Sequence, residues 1–207
     1  MSIALVAGLG NPGREYEHTR HNLGWVVVDA LLRQRGLAWK REPRFDAEYS
    51  RGEFGGRPIH FVKPLSFMND SGRPLQQIAS FYKVPVTRIA VAYDDLTIAV
   101  GACKVSVSGS AGGHNGVASL LEHLGNGFAR YRLGIGPKQP PEMDLKDFVL
   151  GSFTLEHRTL LEQKLDPLVA GLVLLIEEGP ERAMNQLNRR ANHESDQTQL
   201  PRDLHPR

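Results

Sequence analysis

Apolar residues along the chain come in two rhythms. Short unbroken runs bounded by glycine or charged residues read as buried strands, at 3–7, 88–93, 102–107 and 131–135. Segments 47–54 and 57–62 flank Gly55-Gly56 and read as a hairpin. Apolar residues three and four apart predict helices over 23–32, with Asn22 as N-cap, from about Pro74 (Leu75, Ile78, Ala79, Tyr82), and over 117–124. Phe148-Val-Leu150 reads as a short strand or turn. A stripe from Leu160 through Leu165, Leu168 and Leu172 to Ile176 predicts a core-facing helix, which Pro167 kinks or restarts with Asp166 as N-cap. Gly179-Pro180 stops it, and a short helix follows to about Arg190. Strands interleaved with helices predict a single α/β domain over 1–190, and the polar residues 191–207 are expected to form a disordered tail.

Composition narrows the picture only a little. With 207 residues, 41% of them apolar, the chain is long enough for one full core. A formal charge of +2 does not announce nucleic acid, although a local basic patch remains open. Cys103 is the one cysteine, so no internal disulfide forms, and its place in an apolar run points to an inert buried thiol. The N-terminus lacks the basic and apolar regions of a secretory signal, and no apolar run has membrane-spanning length. The expectation is a cytoplasmic protein that does not enter a membrane.

The densest chemistry lies between the first strand and the first helix. Gly8, Gly10 and Gly13 satisfy G-x-G-x-x-G, the fingerprint of a dinucleotide site. That motif needs a helix opening at the second glycine and an acidic residue closing the next strand about 20 positions on. Here Pro12-Gly13 reads as a turn, the apolar stripe begins only at Leu23, and Asp29 falls inside the helix. A nicotinamide or flavin site is therefore disfavoured. The glycines read instead as residues that let the backbone turn tightly and approach a substrate.

Four predicted loops carry the unusual polar residues: Asn11 with His21, Phe67 with Asn69, Asp94, and His114 with Asn115. Each follows a predicted strand, so one sheet with helical crossovers brings them to one edge. No serine sits in a nucleophile elbow, which favours water activated by a base over a covalent intermediate. Histidine can take a proton near neutral pH, and a carboxylate such as Asp94 can fix its tautomer. Asparagine amides can donate to a developing oxyanion or pair with peptide groups. Simpler readings exist beside these: Asn11 shapes a turn before Pro12, Asp94 caps a turn, His114-Asn115 caps a helix. His18 and His21, with Asp94 or Asp95, could instead ligate a metal.

The chain resembles the bacterial peptidyl-tRNA hydrolase family in a long series of ordered motifs. These include Gly-Leu-Gly-Asn-Pro-Gly at 8–13, Thr19-Arg-His-Asn-Leu-Gly24, Lys63-Pro64, Phe67-Met-Asn69, Tyr93-Asp-Asp-Leu96, Gly109-Ser-Ala-Gly-Gly-His-Asn-Gly116 and Arg132-Leu-Gly-Ile-Gly136. The resemblance implies a monomeric three-layer α/β/α sandwich around a twisted mixed sheet. It implies hydrolysis of the ester joining a peptide to the 3′ ribose of tRNA, with no metal and no organic cofactor. His21 then matches the catalytic base, Asp94 the group supporting it, and Asn11 the position that selects N-blocked over free aminoacyl-tRNA. Tyr16, Phe67, Asn69 and Asn115 match substrate-binding positions, with His114 beside them. The partner is the acceptor stem and 3′ end of peptidyl-tRNA, not DNA.

The phosphate contacts depart from the family pattern. Arg132 matches a residue that holds the tRNA 5′ phosphate, with Arg130 and Lys138 nearby. Lys104 supplies one basic residue on the strand before Gly109, but Ser106 and Val107 stand where a second is expected. Thr97 replaces an acidic residue, and Asp70 an apolar one. The competing reading is a non-catalytic RNA-binding module on the same fold.

Overall fold

A computed structural model describes residues 2–197. Its centre is a seven-stranded mixed sheet in the order β2-β3-β4-β1-β5-β7-β6. The strands are β1 (Leu5–Gly8), β2 (Lys40–Glu42), β3 (Ala47–Phe54), β4 (Arg57–Pro64), β5 (Ile89–Ala99), β6 (Cys103–Ser106) and β7 (Ala129–Gly136). Strands β4, β1, β5 and β7 are parallel, and the antiparallel pairs β2/β3/β4 and β6/β7 close the two edges. The helices are α1 (Leu23–Gln34), α2 (Gly72–Phe81), α3 (Asn115–Leu124), α4 (Leu145–Leu150), α5 (Leu155–Glu178) and α6 (Pro180–Gln197).

Central strands alternate their side chains between two cores, which is why they read as unbroken apolar runs. Val6, Ala90, Ala92, Tyr131 and Leu133 pack under α1, α5 and α6. Leu5, Ala7, Val91 and Tyr93 pack under α2 and α3. The result is the expected three-layer α/β/α sandwich. Each fully buried leucine or isoleucine here contributes about 1.5–3 kcal/mol relative to exposure.

Several local expectations need correction. The strand read as ending before Asp94-Asp95 runs on to Ala99, with an irregularity between Asp95 and Ala99, so both carboxylates are held inside the sheet. Phe148-Val-Leu150 is neither strand nor turn but the end of α4. Asp144 caps that helix by accepting from Lys146 N at 2.8 Å, and Phe148 is its buried anchor. Helix α5 passes through Pro167 as one element; Leu168 to Ile176 after the proline are its buried face, and the half-buried Leu161 and Leu165 before it pack on the same core. Asp166 does not cap it and accepts from Gln34 Nε2 at 2.8 Å. Helix α6 extends to Gln197, beyond the expected end at about Arg190, and the remainder of the expected tail, 198–207, lies outside the described residues.

The glycines of the first loop also act differently from expectation. A Cβ on Gly8 would lie 2.7 Å from Gly24 O, and one on Gly10 would lie 2.6 Å from the Trp25 ring. These two glycines admit α1 against β1 rather than admitting a substrate. Gly13, at φ 114°, is the one that turns the chain.

Candidate active site

The loop after β1, the turn at 65–71 after β4, and β5 itself meet beside the start of α1. The fourth contributor arrives by another route. Strand β6 is antiparallel to β7 and ends at Ser106 opposite Arg130, whereas Asp94 lies opposite Leu133. Residues 107–114 must therefore travel back about 10 Å along the sheet before His114 reaches Asp94. The buried Arg130 guides them, donating through Nη1 to Ser110 O at 2.7 Å and through Nη2 to Gly109 O.

Asp94 is the centre of the site. It is 2% exposed and accepts from His21 Nδ1 at 2.9 and 3.0 Å and from His114 Nε2 at 3.0 Å. Burial alone would raise its carboxyl, but the two histidines outweigh that and hold it well below the usual carboxylate range. An ionised carboxylate only accepts, so both facing imidazole nitrogens carry protons. His114 agrees from its far side, where Nδ1 accepts from Val117 N at 3.3 Å as the N-cap of α3. His114 thus caps α3 and reaches Asp94 with the same ring. In His21 the ring nitrogen that faces away from Asp94, Nε2, has no protein partner among the described residues.

Asn11 is fixed at three atoms. Its N donates to Asn22 Oδ1 at 2.8 Å, its O accepts from Asn22 Nδ2 at 3.0 Å, and its Oδ1 accepts from Met68 N at 2.7 Å. Asn22, expected as an N-cap, makes no capping bond with its side chain. Its role was not legible, since nothing in the sequence links two asparagines that meet only in the fold.

A cavity of about 760 Å³ opens over these groups. Asn11, His21, Phe67, Asn69, Asp94, His114, Asn115 and Arg132 all line it, together with Leu145, Lys146, Val149 and Leu150 of α4. Tyr16 is not part of the lining and stands edge-on to Phe67 at 6.3 Å between ring centroids. Lys104 also lies outside the lining, directly across the ladder from Arg132. Arg132 itself donates through Nε to Asp95 Oδ2 at 2.8 Å and through Nη2 to Thr97 Oγ1 at 3.1 Å. Burial would raise Asp95, but the Thr97 and Arg132 bonds hold it below the usual range. The other two basic residues expected near the phosphate are committed elsewhere: Arg130 to the loop carbonyls and Lys138 to Met143 O.

His21, Asp94 and His114 also form a set of potential metal ligands whose donor atoms lie within 4.8 Å of one another. Those atoms are already joined by the hydrogen bonds just described, which account for the cluster without an ion. His18 is exposed and is not in that set. Among the described residues, no helix is long and apolar enough to cross a membrane.

A histidine–carboxylate pair opening on a cleft of amide side chains is an arrangement that can activate water, the chemistry of a hydrolase. Comparison with known proteins specifies which one: the family model described as peptidyl-tRNA hydrolase matches residues 5–196. The chain belongs to the peptidyl-tRNA hydrolase family. It is 40% identical over 193 residues to a peptidyl-tRNA hydrolase of Gloeobacter violaceus, covering 92% of this chain and 96% of that one. A peptidyl-tRNA hydrolase of Desulfitobacterium hafniense is 40% identical over 188 residues, covering 90% and 100% respectively. Among solved structures, peptidyl-tRNA hydrolase from Acinetobacter baumannii superposes with a TM-score of 0.84 at 34% identity, over 90% of this chain and 94% of that one.

Proposed function

We propose that this enzyme hydrolyses the ester between the C-terminal carboxyl of a peptide, or of an N-blocked amino acid, and the 3′ ribose oxygen of tRNA, with His21 as general base. The observation that carries this reading is the pairing of His21 Nδ1 with both oxygens of the buried Asp94, in a histidine that lines the cleft. Nε2 takes a proton from water as the water oxygen bonds to the ester carbonyl carbon. Asp94 stabilises the imidazolium that forms, without itself taking the proton. The tetrahedral intermediate then collapses, the bond to the 3′ oxygen breaks, and the proton on Nε2 passes to that oxygen. The products are a peptide carboxylic acid, which gives its proton to solvent, and tRNA with a free 3′ hydroxyl. A base positioned in this way contributes about 10²–10⁴-fold.

The asparagines supply selection. Asn11, with Oδ1 tied to Met68 N, presents its Nδ2 to the cleft as a donor, and Asn69 and Asn115 line the same space. Such amides pair with the peptide group of an N-blocked substrate. A free α-amino group, largely cationic near neutral pH, leaves a donor facing a donor. Phe67, exposed and braced by Tyr16, offers a face for a terminal base or an apolar side chain. Arg132 and Lys104, neighbours across β6 and β7, form the phosphate-facing side for the acceptor stem.

Hydrolysis of N-acetyl-aminoacyl-tRNA is to be measured beside the unblocked aminoacyl-tRNA, for the wild type and His21→Ala. Cleavage of the blocked substrate alone, lost in the variant, supports the reading. Binding of tRNA with no cleavage by the wild type overturns it in favour of an RNA-binding module.

A further inference from the structure

The residue before the base is a buried arginine. Arg20 is 9% exposed, and its guanidinium lies 4.4 Å from the Phe148 ring centroid and 5.4 Å from that of Phe153. Nη1 donates to Phe148 O at 3.0 Å, while Nε is buried with no partner. Burying such a charge is costly unless it is paired or hydrogen-bonded, and what holds this one is the Phe148 carbonyl and the faces of two rings. What surrounds it is one segment: α4 and the residues that follow it.

The backbone makes the same connection a second time. Arg20 N donates to Gly151 O at 3.1 Å, and Thr19 forms an isolated bridge with Ser152. A Cβ on Gly151 would lie 2.9 Å from Arg20 Nη1 and 3.1 Å from Asp147 O, so this segment packs closely on the guanidinium and a side chain there would crowd it. Helix α4 has six residues and cannot hold itself in place, since isolated helices of that length are unstable in water. Yet Leu145, Lys146, Val149 and Leu150 form one wall of the cleft.

We infer that Arg20 is a positioning residue that ties this wall to the turn carrying His21, so that the base and the substrate-facing side of α4 keep a fixed separation. The inference rests on the proposed hydrolysis, because the wall serves the substrate of that reaction. Losing the tie loosens the wall in ground state and transition state alike. The effect therefore falls on KM more than on kcat.

The test compares wild type, Arg20→Lys and Gly151→Ala, the last crowding the tie from its other side. Lysine keeps the charge but lacks the planar fork that bonds Phe148 O between two rings. Amide hydrogen exchange over 145–150 is expected to accelerate about tenfold or more in both variants, with exchange in β5 unchanged. KM for N-acetyl-aminoacyl-tRNA is expected to rise about tenfold, kcat to stay within about threefold, and the acid limb of the kcat profile not to move. Unchanged exchange over 145–150 overturns the proposal. So does a fall in kcat with a displaced pH profile at constant KM, which would make Arg20 an electrostatic partner of His21. If the wild type hydrolyses nothing while exchange responds as expected, the tie stands and the hydrolytic reading falls.

Discussion

Asn22 grips the peptide of Asn11 from both sides, accepting from its N–H at 2.8 Å and donating to its carbonyl at 3.0 Å. The two residues sit at either end of the loop between β1 and α1, and the grip pins that loop flat against the helix start. Asn11 can then spend its own Oδ1 on Met68 N, which joins the turn after β4 to the same assembly. One buried side chain thus orients the amide assigned to substrate selection.

Asn22→Ala is the direct check. It leaves a buried N–H and a buried carbonyl without partners, at a cost of about 1–3 kcal/mol each where water does not replace the bond. Urea denaturation is expected to show that loss. The ratio of kcat/KM for blocked over free aminoacyl-tRNA is expected to fall several-fold, as Asn11 loses its fixed direction. A variant with an unaltered ratio would sever Asn22 from selection and leave it a purely structural residue.

Asp94→Asn separates the support of the base from its presence. An amide can present its NH₂ to His21 Nδ1, which favours the wrong tautomer, and kcat is expected to drop about 10²–10⁴-fold. The wild-type carboxyl is held well below its ordinary value in the native state. Its contribution to stability is therefore complete above the ordinary carboxylate range and is lost as pH falls from there through the native value. The stability gap between wild type and Asp94→Asn is expected to shrink as pH falls below about 4. A gap that holds or widens below about pH 4 would contradict an ionised Asp94.

Much of this was legible in the sequence because the signals were local. The periodicity of 23–32 and 117–124 located α1 and α3, and the glycine pair at 55–56 located the hairpin of β3 and β4. His21, Asp94 and His114 stood out as side chains able to hold or move a proton in loops that follow predicted strands. What was illegible depended on partners distant in sequence. Asn22 reads as an N-cap until Asn11 is beside it. Arg130 reads as one more basic residue near the phosphate until the returning loop claims its guanidinium. The one-and-a-half turns of α4 are too short to show a period, and they are placed by Arg20, 128 positions from Phe148. The glycines misled for a similar reason: Gly8 and Gly10 answer to Gly24 and Trp25.

The basic face makes a prediction with an internal control. Arg132 lines the cleft with part of its guanidinium engaged by Asp95 and Thr97, and Lys104 lies beside it across the ladder. If they contact phosphates, Arg132→Gln and Lys104→Gln each weaken tRNA binding and reduce the slope of log affinity against log salt by about one unit or less. Arg130→Gln is expected to leave that slope unchanged, because its guanidinium holds Gly109 and Ser110, and to lower stability and catalysis instead. A slope that responds to Arg130 and not to Arg132 would reverse the assignment.

Gly24→Ala tests how closely the turn bearing His21 depends on the seating of α1. Alanine is the better helix former by about 1 kcal/mol, so on an exposed helix the change would stabilise. At this position an added Cβ would lie 2.3 Å from Ala92 O and 2.7 Å from Leu9 O, both backbone atoms of the layer beneath. The helix must lift away from β5, and overpacking of this kind typically costs about 1–3 kcal/mol, enough to outweigh the propensity gain. Since α1 begins one residue after Asn22, the lift also displaces the turn bearing His21 from Asp94. The expected outcome is a lower urea midpoint together with a fall in kcat, measured on the fraction that remains folded. A variant as stable and as active as the wild type would show that α1 can shift without disturbing the pair.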